Sequence, residues 1–193
     1  KINKKDISYI NKKFEIEKII SFKGIKQGIE NTNYLLRSKN KKFILTIFEK
    51  RVSQNEIPFF MKLMDQLNNS KINCPKPQKN KNGNYLIKIK NKSACIVSFL
   101  EGKDKKLLNL KNCHEIGKMI AGMHVSTKKI NLSRKNSMSI KNLYPLLNSI
   151  KFKSKKFTNI EKFLKINFKD IKMKWPKKLP SGIIHGDLFI DNI

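Results

Sequence analysis

The chain has 193 residues, 39% of them hydrophobic, enough to bury a core in one large domain or two small lobes. Its formal net charge is +29, from 43 basic and 14 acidic residues, yet no apolar run approaches the length that spans a bilayer, and residues 1–6 lead into more charge, not into the apolar segment of a signal peptide. Cys74, Cys95 and Cys113 are odd in number and widely spaced, which fits neither a disulfide framework nor a zinc site and suits a reducing cytoplasm.

Residues 6–20 read as a helix capped by Asp6, with Ile7, Ile10, Phe14 and Ile16 as its apolar stripe. Residues 19–22 read as a strand entering Lys23-Gly24-Ile25-Lys26-Gln27-Gly28. The two glycines, followed by Ile29-Glu30-Asn31-Thr32-Asn33, predict a turn before a second strand at 34–37. Lys39-Asn40-Lys41 turns the chain into a third strand at 43–48. A Gly-containing hairpin at the start of a meander is either a plain connection or a loop whose backbone N–H groups cover phosphates. Ile57, Phe60, Met61, Met64 and Leu67 predict a helix over 55–69, with Glu56 and Pro58 in its first turn and Asn68-Asn69-Ser70 at its end. Cys74-Pro75-Lys76-Pro77 is an extended connector, and 85–89 with 94–100 form a hairpin around Asn91-Lys92. The second of these strands runs into the turn Glu101-Gly102, so residues 19–100 give five strands with one helix after the third.

Beyond that turn the pattern is helical. Ile116, Met119, Ile120 and Met123 mark one stripe over 111–126, and His124 on its edge is expected to be a structural, hydrogen-bonded histidine. Residues 129–140 read as polar loop and 143–150 as a short apolar segment. Aromatics such as Phe152, Phe157 and Phe163 among lysines are compatible with RNA stacking, but the spacing over 160–171 predicts an amphipathic helix, closed by Trp175-Pro176 and Leu179-Pro180. An apolar Gly182-Ile183-Ile184 then leads into His185-Gly186-Asp187, with Asn192 five residues after the Asp. Phosphotransfer catalytic loops need this arrangement: the Asp accepts or orients the acceptor's hydroxyl proton, and the Asn holds a metal ion that bridges ATP phosphates. The same residue types also make polar turns after buried strands.

The charge itself points less clearly. Only Arg37, Arg51 and Arg134 are arginines, whereas phosphate and base recognition favours the guanidinium fork. The lysines are spread along the whole chain among many Asn and Ile, which reads as compositional drift and not as a specific nucleic-acid patch. Such charge still implies weak, salt-sensitive attraction for anions and faster capture of an anionic substrate such as ATP.

Taken together, several stretches resemble the homoserine kinases of the aminoglycoside-phosphotransferase-like superfamily. They are Ser21-Phe22-Lys23-Gly24-Ile25, Gly28-Ile29-Glu30-Asn31-Thr32-Asn33-Tyr34, Phe43-Ile44-Leu45-Thr46-Ile47-Phe48-Glu49 and Glu56-Ile57-Pro58-Phe59-Phe60. Cys74-Pro75-Lys76-Pro77, Val97-Ser98-Phe99-Leu100-Glu101-Gly102, Met123-His124 and His185-Gly186-Asp187-Leu188-Phe189 with Asp191-Asn192 follow in the family's order. The resemblance implies an α+β, protein-kinase-like fold of two lobes. An N-terminal lobe, 1–100, carries a five-stranded antiparallel sheet with a helix; the hinge lies at 97–102; and 103–193 form the first part of a helical lobe ending in the catalytic loop. It implies ATP and magnesium as cofactors and L-homoserine as acceptor, giving O-phospho-L-homoserine on the way to threonine, with no specific nucleic acid and no membrane as partner. Asp187 is then the catalytic base and Asn192 the metal ligand. The loop of Gly28, Glu30, Asn31, Thr32 and Asn33 covers the phosphates, Ser98 and Leu100 belong to the adenine-binding hinge, and Glu56 stands where the family places a helix Glu.

Two features depart from the wider superfamily. Thr46 stands where most relatives carry a basic residue on the α/β-phosphates, a trait the homoserine kinase branch shares, and Lys42 and Lys50 are the nearby cations. The chain also stops at Ile193, before the Asp-bearing strand and helices that the family uses for its second metal contact and acceptor pocket. A fragment of a longer chain, inactive by itself, is therefore expected. The rival readings are another small-molecule kinase acting on an aminoglycoside, choline or a sugar amine, or a basic nucleic-acid-binding protein. A polycationic aminoglycoside calls for an acidic cleft, which 14 acidic against 43 basic residues disfavour.

Overall fold

The computed structural model describes residues 1–26, 30–49, 53–102, 107–149 and 158–190. They fall into two compact units, one of Lys1–Ser133 with Gly182–Ile193 and one of Arg134–Ser181.

The first unit opens with α1 (Lys4–Lys13). Asn3, not Asp6, is its cap: the Asn3 side chain accepts the N–H groups of Lys5 and Asp6, and Asp6 accepts the Asn3 N–H at 2.8 Å. This reciprocal pair satisfies backbone donors that a helix start leaves open. The helix stops at Phe14 rather than continuing to 20, as the sequence pattern suggested. The reason is tertiary. Asn11 grips Ile19 by both backbone groups, at 3.0 and 2.8 Å, and folds the intervening residues back along the helix.

Five strands form one antiparallel sheet in the order β1-β2-β3-β5-β4. They are β1 (Ser21–Ile25), β2 (Asn31–Arg37), β3 (Lys42–Phe48), β4 (Leu86–Ile89) and β5 (Lys92–Ser98). Strand alternation sorts side chains onto two faces. Tyr34, Leu36, Phe43, Leu45, Ile47, Ala94 and Ile96 face α1 and bury Ile7, Ile10 and Phe14. Ile44, Phe48, Cys95 and Val97 face α2 (Ile57–Asn69) and pack on Ile57 and Met61. Ile10, Leu36, Leu45, Ile57 and Ile96 are fully buried, each contributing about 1.5–3 kcal/mol relative to exposure.

Boundaries shift from the sequence expectations where pairing, not apolarity, decides. β1 runs to Ile25 and β2 begins at Asn31, because Ile25 pairs with Asn33 and Asn31 with Phe48. The hairpin between β4 and β5 turns at Lys90-Asn91, one residue earlier than expected; both have positive φ, 49° and 64°, the signature of a two-residue turn that matches strand twist. β5 ends at Ser98, two residues short of Leu100. Past the end of β4, the connector continues the ladder: Ser98 N–H donates to Lys76 O at 2.9 Å and Gln78 N–H to Ile96 O at 2.8 Å. Glu56 occupies the cap position of α2 and Pro58 its first turn.

After residue 102 comes α3 (Leu110–Thr127), capped by a reciprocal pair of Asn109 and Asn112. It lies against the end of α2's connector, and a Cβ at Gly122 would come within 3.3 Å of Ile72 Cδ1. His124 differs from expectation. Its buried Nε2 has no hydrogen-bond partner among the described residues. Residues 182–190 form no strand, and Ile184 is 67% exposed.

The second unit holds α4 (Ile140–Ser149) and α5 (Thr158–Lys174). Their contact centres on Tyr144, whose ring lies 5.6 Å from that of Phe168, with Lys172 Nζ 5.4 Å above it. Glu161–Lys165 and Asp170–Lys174 pairs lace the exposed surface of α5. Phe152 and Phe157 lie outside the described residues. Among the described residues no helix is long and apolar enough to cross a membrane.

Candidate functional site

The middle of β3 sets the geometry. Thr46 lies opposite Asn33 of β2 and Cys95 of β5. Its hydroxyl donates to Asn33 Oδ1 at 2.9 Å, which leaves the Asn33 amide nitrogen to serve another acceptor. Asn31 Oδ1 accepts the Glu49 N–H at 3.4 Å. By strand parity Asn31, Asn33 and Thr46 share the α2-side face with Ile44 and Val97. Along β3 that face thus runs from Lys42 at the hinge end through apolar Ile44 to polar, uncharged Thr46 and then Phe48.

Residues 31–33 are strand, not loop, so their side chains alternate. Thr32 points to the α1 side, where its hydroxyl donates to Glu49 Oε1 at 2.8 Å. Lys92 closes on the other carboxylate oxygen of Glu49. The Lys92 bond, then the Thr32 bond, hold the Glu49 carboxyl below the usual glutamate range. This trio borders a cavity of about 70 Å³ beside Ile2 and Tyr34, on the face opposite Thr46. Glu30 sits in an exposed bend before β2, and Gly28 lies outside the described residues.

The hinge residues follow β5. Ser98 is bound twice by Lys76, whose N–H donates to Ser98 Oγ and whose carbonyl accepts Ser98 N–H, both at 2.9 Å. Phe99 N–H donates to Lys42 O at 3.2 Å. Leu100, 42% exposed, and Glu101 are the first residues beyond this ladder. Lys42 holds the same stretch by its side chain: Nζ is 2.7 Å from Glu101 Oε1 and 5.1 Å from the Phe99 ring centre. As a substitute for the missing third-strand cation, Lys42 is poorly placed. It lies four residues from Thr46, about 13 Å along the strand, and it is engaged at the hinge. Lys50 lies outside the described residues.

The catalytic-loop motif is reached at the end of the chain. Gly186 has φ 78°, a left-handed conformation that favours glycine, and the exposed Asp187 follows it. Asn192 lies outside the described residues. Among the described residues no three His, Cys, Asp or Glu side chains gather as a metal cage. Cys95, beside Thr46, is no nucleophile: burial pushes its thiol up to about 12. Burial and the bond to Asp65 Oδ2, 2.7 Å away, likewise push the Tyr85 hydroxyl up to about 12. Sequence reasoning missed the Thr32–Glu49–Lys92 and Lys42–Glu101 groups. The available signal was a charged residue at or just past the ends of β3 and β5, at Lys42, Glu49, Lys92 and Glu101, which specifies a partner only once the register is known.

Comparison with known proteins bears on this arrangement. The profile of the Phosphotransferase enzyme family matches residues 21–193. A homoserine kinase of Rhodopseudomonas palustris (strain BisA53) is 35% identical over 181 residues, 93% of this chain and 56% of its own length. One of Rhizobium rhizogenes is 33% identical over 193 residues, 100% of this chain and 60% of its own length. The chain thus spans little more than half the length of these curated relatives. Among solved structures, a spectinomycin phosphotransferase in complex with ADP and spectinomycin superposes with a TM-score of 0.63, at 14% identity, over 99% of this chain and 64% of its own. A microcompartment-associated aminopropanol kinase superposes at 0.57 and 13% identity, over 74% and 47% respectively. These two share the fold.

Proposed function

The chain belongs to the phosphotransferase enzyme family, and we propose that it forms the nucleotide-binding sheet and catalytic loop of a kinase that phosphorylates the side-chain hydroxyl of L-homoserine with ATP. The observation that carries this reading is the similarity to homoserine kinases along almost the whole chain. In this reading adenine lies against Ile44 and Val97 and meets backbone groups near Leu100. The phosphates run toward Asn33 and Thr46, which offer amide and hydroxyl groups in place of a lysine. Asp187 orients the homoserine hydroxyl and takes its proton as the oxygen–phosphorus bond forms and the bond to ADP breaks. Because an alcohol is not acidic, that proton moves late, and the carboxylate acts first by position.

Magnesium supplies charge neutralisation on the phosphates when it is bound with ATP. The donor set suits it. Magnesium typically takes one or two protein oxygens plus substrate phosphates, and the described residues offer an exposed carboxylate but no closed cage. The Asn192 side-chain oxygen is the proposed ligand.

The test is ADP release by the whole protein, supplied with magnesium, ATP and, in turn, homoserine, threonine, serine, choline or kanamycin. Turnover with homoserine alone is expected. Asp187→Asn should retain nucleotide binding and lose about 10²–10⁴-fold in turnover. Undiminished turnover in that variant would remove Asp187 from the mechanism, and activity on kanamycin or choline alone would replace the acceptor.

A further inference from the structure

We infer that Lys42 is a positioning residue that clamps the hinge and thereby sets nucleotide affinity. The inference rests on the reading of 97–102 as the adenine-binding segment. Three contacts of different kind join this one residue to the hinge. Its carbonyl accepts the Phe99 N–H at 3.2 Å, its ammonium meets Glu101 Oε1 at 2.7 Å, and the same ammonium stands 5.1 Å from the centre of the Phe99 ring. The register makes this possible: Phe43 pairs with Ser98, so Lys42 and Phe99 are the next opposed positions and point to the same face. That face is the one carrying Ile44, Thr46 and Val97.

An isolated surface ion pair stabilises little, and Glu101 is well exposed. Here the pair with Glu101 adds to the backbone bond and cation–π contact that Lys42 makes with nearby Phe99, so its effect is on conformation more than on total stability. Beyond Ser98 the chain leaves the sheet, and Lys42 holds Phe99 and Glu101 in one arrangement. A binding segment held in its bound conformation spares the ordering cost of binding. The Lys42 charge is thus committed to orienting the hinge and not to the phosphates.

The test uses the whole protein and four variants. Lys42→Met keeps the stem and removes the charge, Lys42→Arg keeps the charge, and Lys42→Glu is compared with Lys42→Glu combined with Glu101→Lys. Amide exchange at Phe99 needs no nucleotide. It should accelerate at least tenfold in Lys42→Met, with Leu45 and Ile96 unchanged and Tm moved by less than about 2 °C. Affinity for a fluorescent ATP analogue should fall about five- to tenfold in Lys42→Met, stay within twofold in Lys42→Arg, and recover from Lys42→Glu to the charge-swapped pair. Unchanged Phe99 exchange in Lys42→Met overturns the clamp. Faster exchange with unchanged affinity overturns its role in nucleotide binding. A wild-type chain that binds no nucleotide overturns the underlying functional reading and, with it, the affinity role, while the exchange result still decides the clamp.

Discussion

Replacing Thr46 by Val tests whether the polar pair on β3 and β2 acts as a unit. Val keeps the branched shape, so no cavity opens, and the change removes one hydroxyl with its 2.9 Å bond to Asn33 Oδ1. A neutral hydrogen bond contributes about 0.5–1.5 kcal/mol net. Thr46 and Asn33 are both half-buried, so water reaches the abandoned carbonyl and the loss falls at the lower end, about 0.5–1 kcal/mol. For a lobe of about 60–100 residues 1 kcal/mol corresponds to about 4–8 °C, so Tm should drop by about 2–8 °C. Nucleotide binding should suffer as well, because an Asn33 amide without its anchor no longer aims its N–H groups at one point. The expected rise in Kd for a fluorescent ATP analogue is about three- to tenfold, or about 0.7–1.4 kcal/mol. Asn33→Ala and the double variant complete a cycle, measured by urea unfolding and by titration with the analogue. A coupling of about 0.5–1 kcal/mol is expected in both. Additivity within about 0.3 kcal/mol would refute the reasoning, since two groups that cooperate cannot be removed independently.

Cys113 is exposed, Cys74 half-buried and Cys95 buried, and burial raises the thiol pKa of Cys74 and pushes that of Cys95 to about 12. Iodoacetamide at pH 8 should label Cys113 first, Cys74 slowly and Cys95 only in denaturant; labelling of native Cys95 at the Cys113 rate would contradict a buried β5. Glu49 is held below its usual range by Lys92 and then Thr32, so the unfolded chain binds its proton more readily. Its stabilising contribution is full above about pH 4.3 and fades as pH falls through the lower folded value. The urea midpoints of wild type and Glu49→Gln should therefore differ slightly at pH 6 and converge near pH 3, and a gap that widened on acidification would reverse the assignment. Among the described residues every buried hydrophobic side chain lies at or before Val97. Amide exchange should be slow in β2, β3 and β5 and fast across α4 and α5; equal protection in the two regions would reveal a second core.

The elements that were legible from sequence are those whose pattern and burial coincide. In β3, Phe43, Leu45 and Ile47 alternate with half-buried residues, and the α1 side takes all three. In α2, Ile57, Met61 and Leu67 recur on the buried side. What escaped depended on partners far along the chain. Asn11 ends the first helix by binding Ile19, a tertiary bond with no periodic signature. Asn31 and Thr32 are polar, yet they lie in β2 because β3 continues opposite them. Lys90-Asn91 adopts a turn usually announced by Asn-Gly or Asp-Gly, and the lysine disguised it. The candidate site divides the same way. His185-Gly186-Asp187 is local and was visible as a motif, whereas Lys42 and Glu101 are 59 residues apart and meet only through the register of β3 and β5.

That register also bears on how a chain with neutral Thr46 attracts and orients a polyanion. A lysine at this strand position does both at once: its charge draws the phosphates in, and its ammonium fixes where they rest. On the proposed reading these two tasks separate. Lys42, the basic residue of β3 itself, is held at the hinge by Glu101 and Phe99, and Lys92 is held by Glu49 on the opposite face. Attraction then falls to the diffuse field of 43 basic against 14 acidic residues, which acts over a screening length of about 8 Å and fixes no geometry. Direction falls to Asn33 and Thr46, whose hydrogen bond acts only at contact and is barely screened by salt. A diffuse cationic field suits a strand whose one lysine, Lys42, is held at the hinge and whose middle offers the Thr46 hydroxyl and the Asn33 amide in place of a second cation.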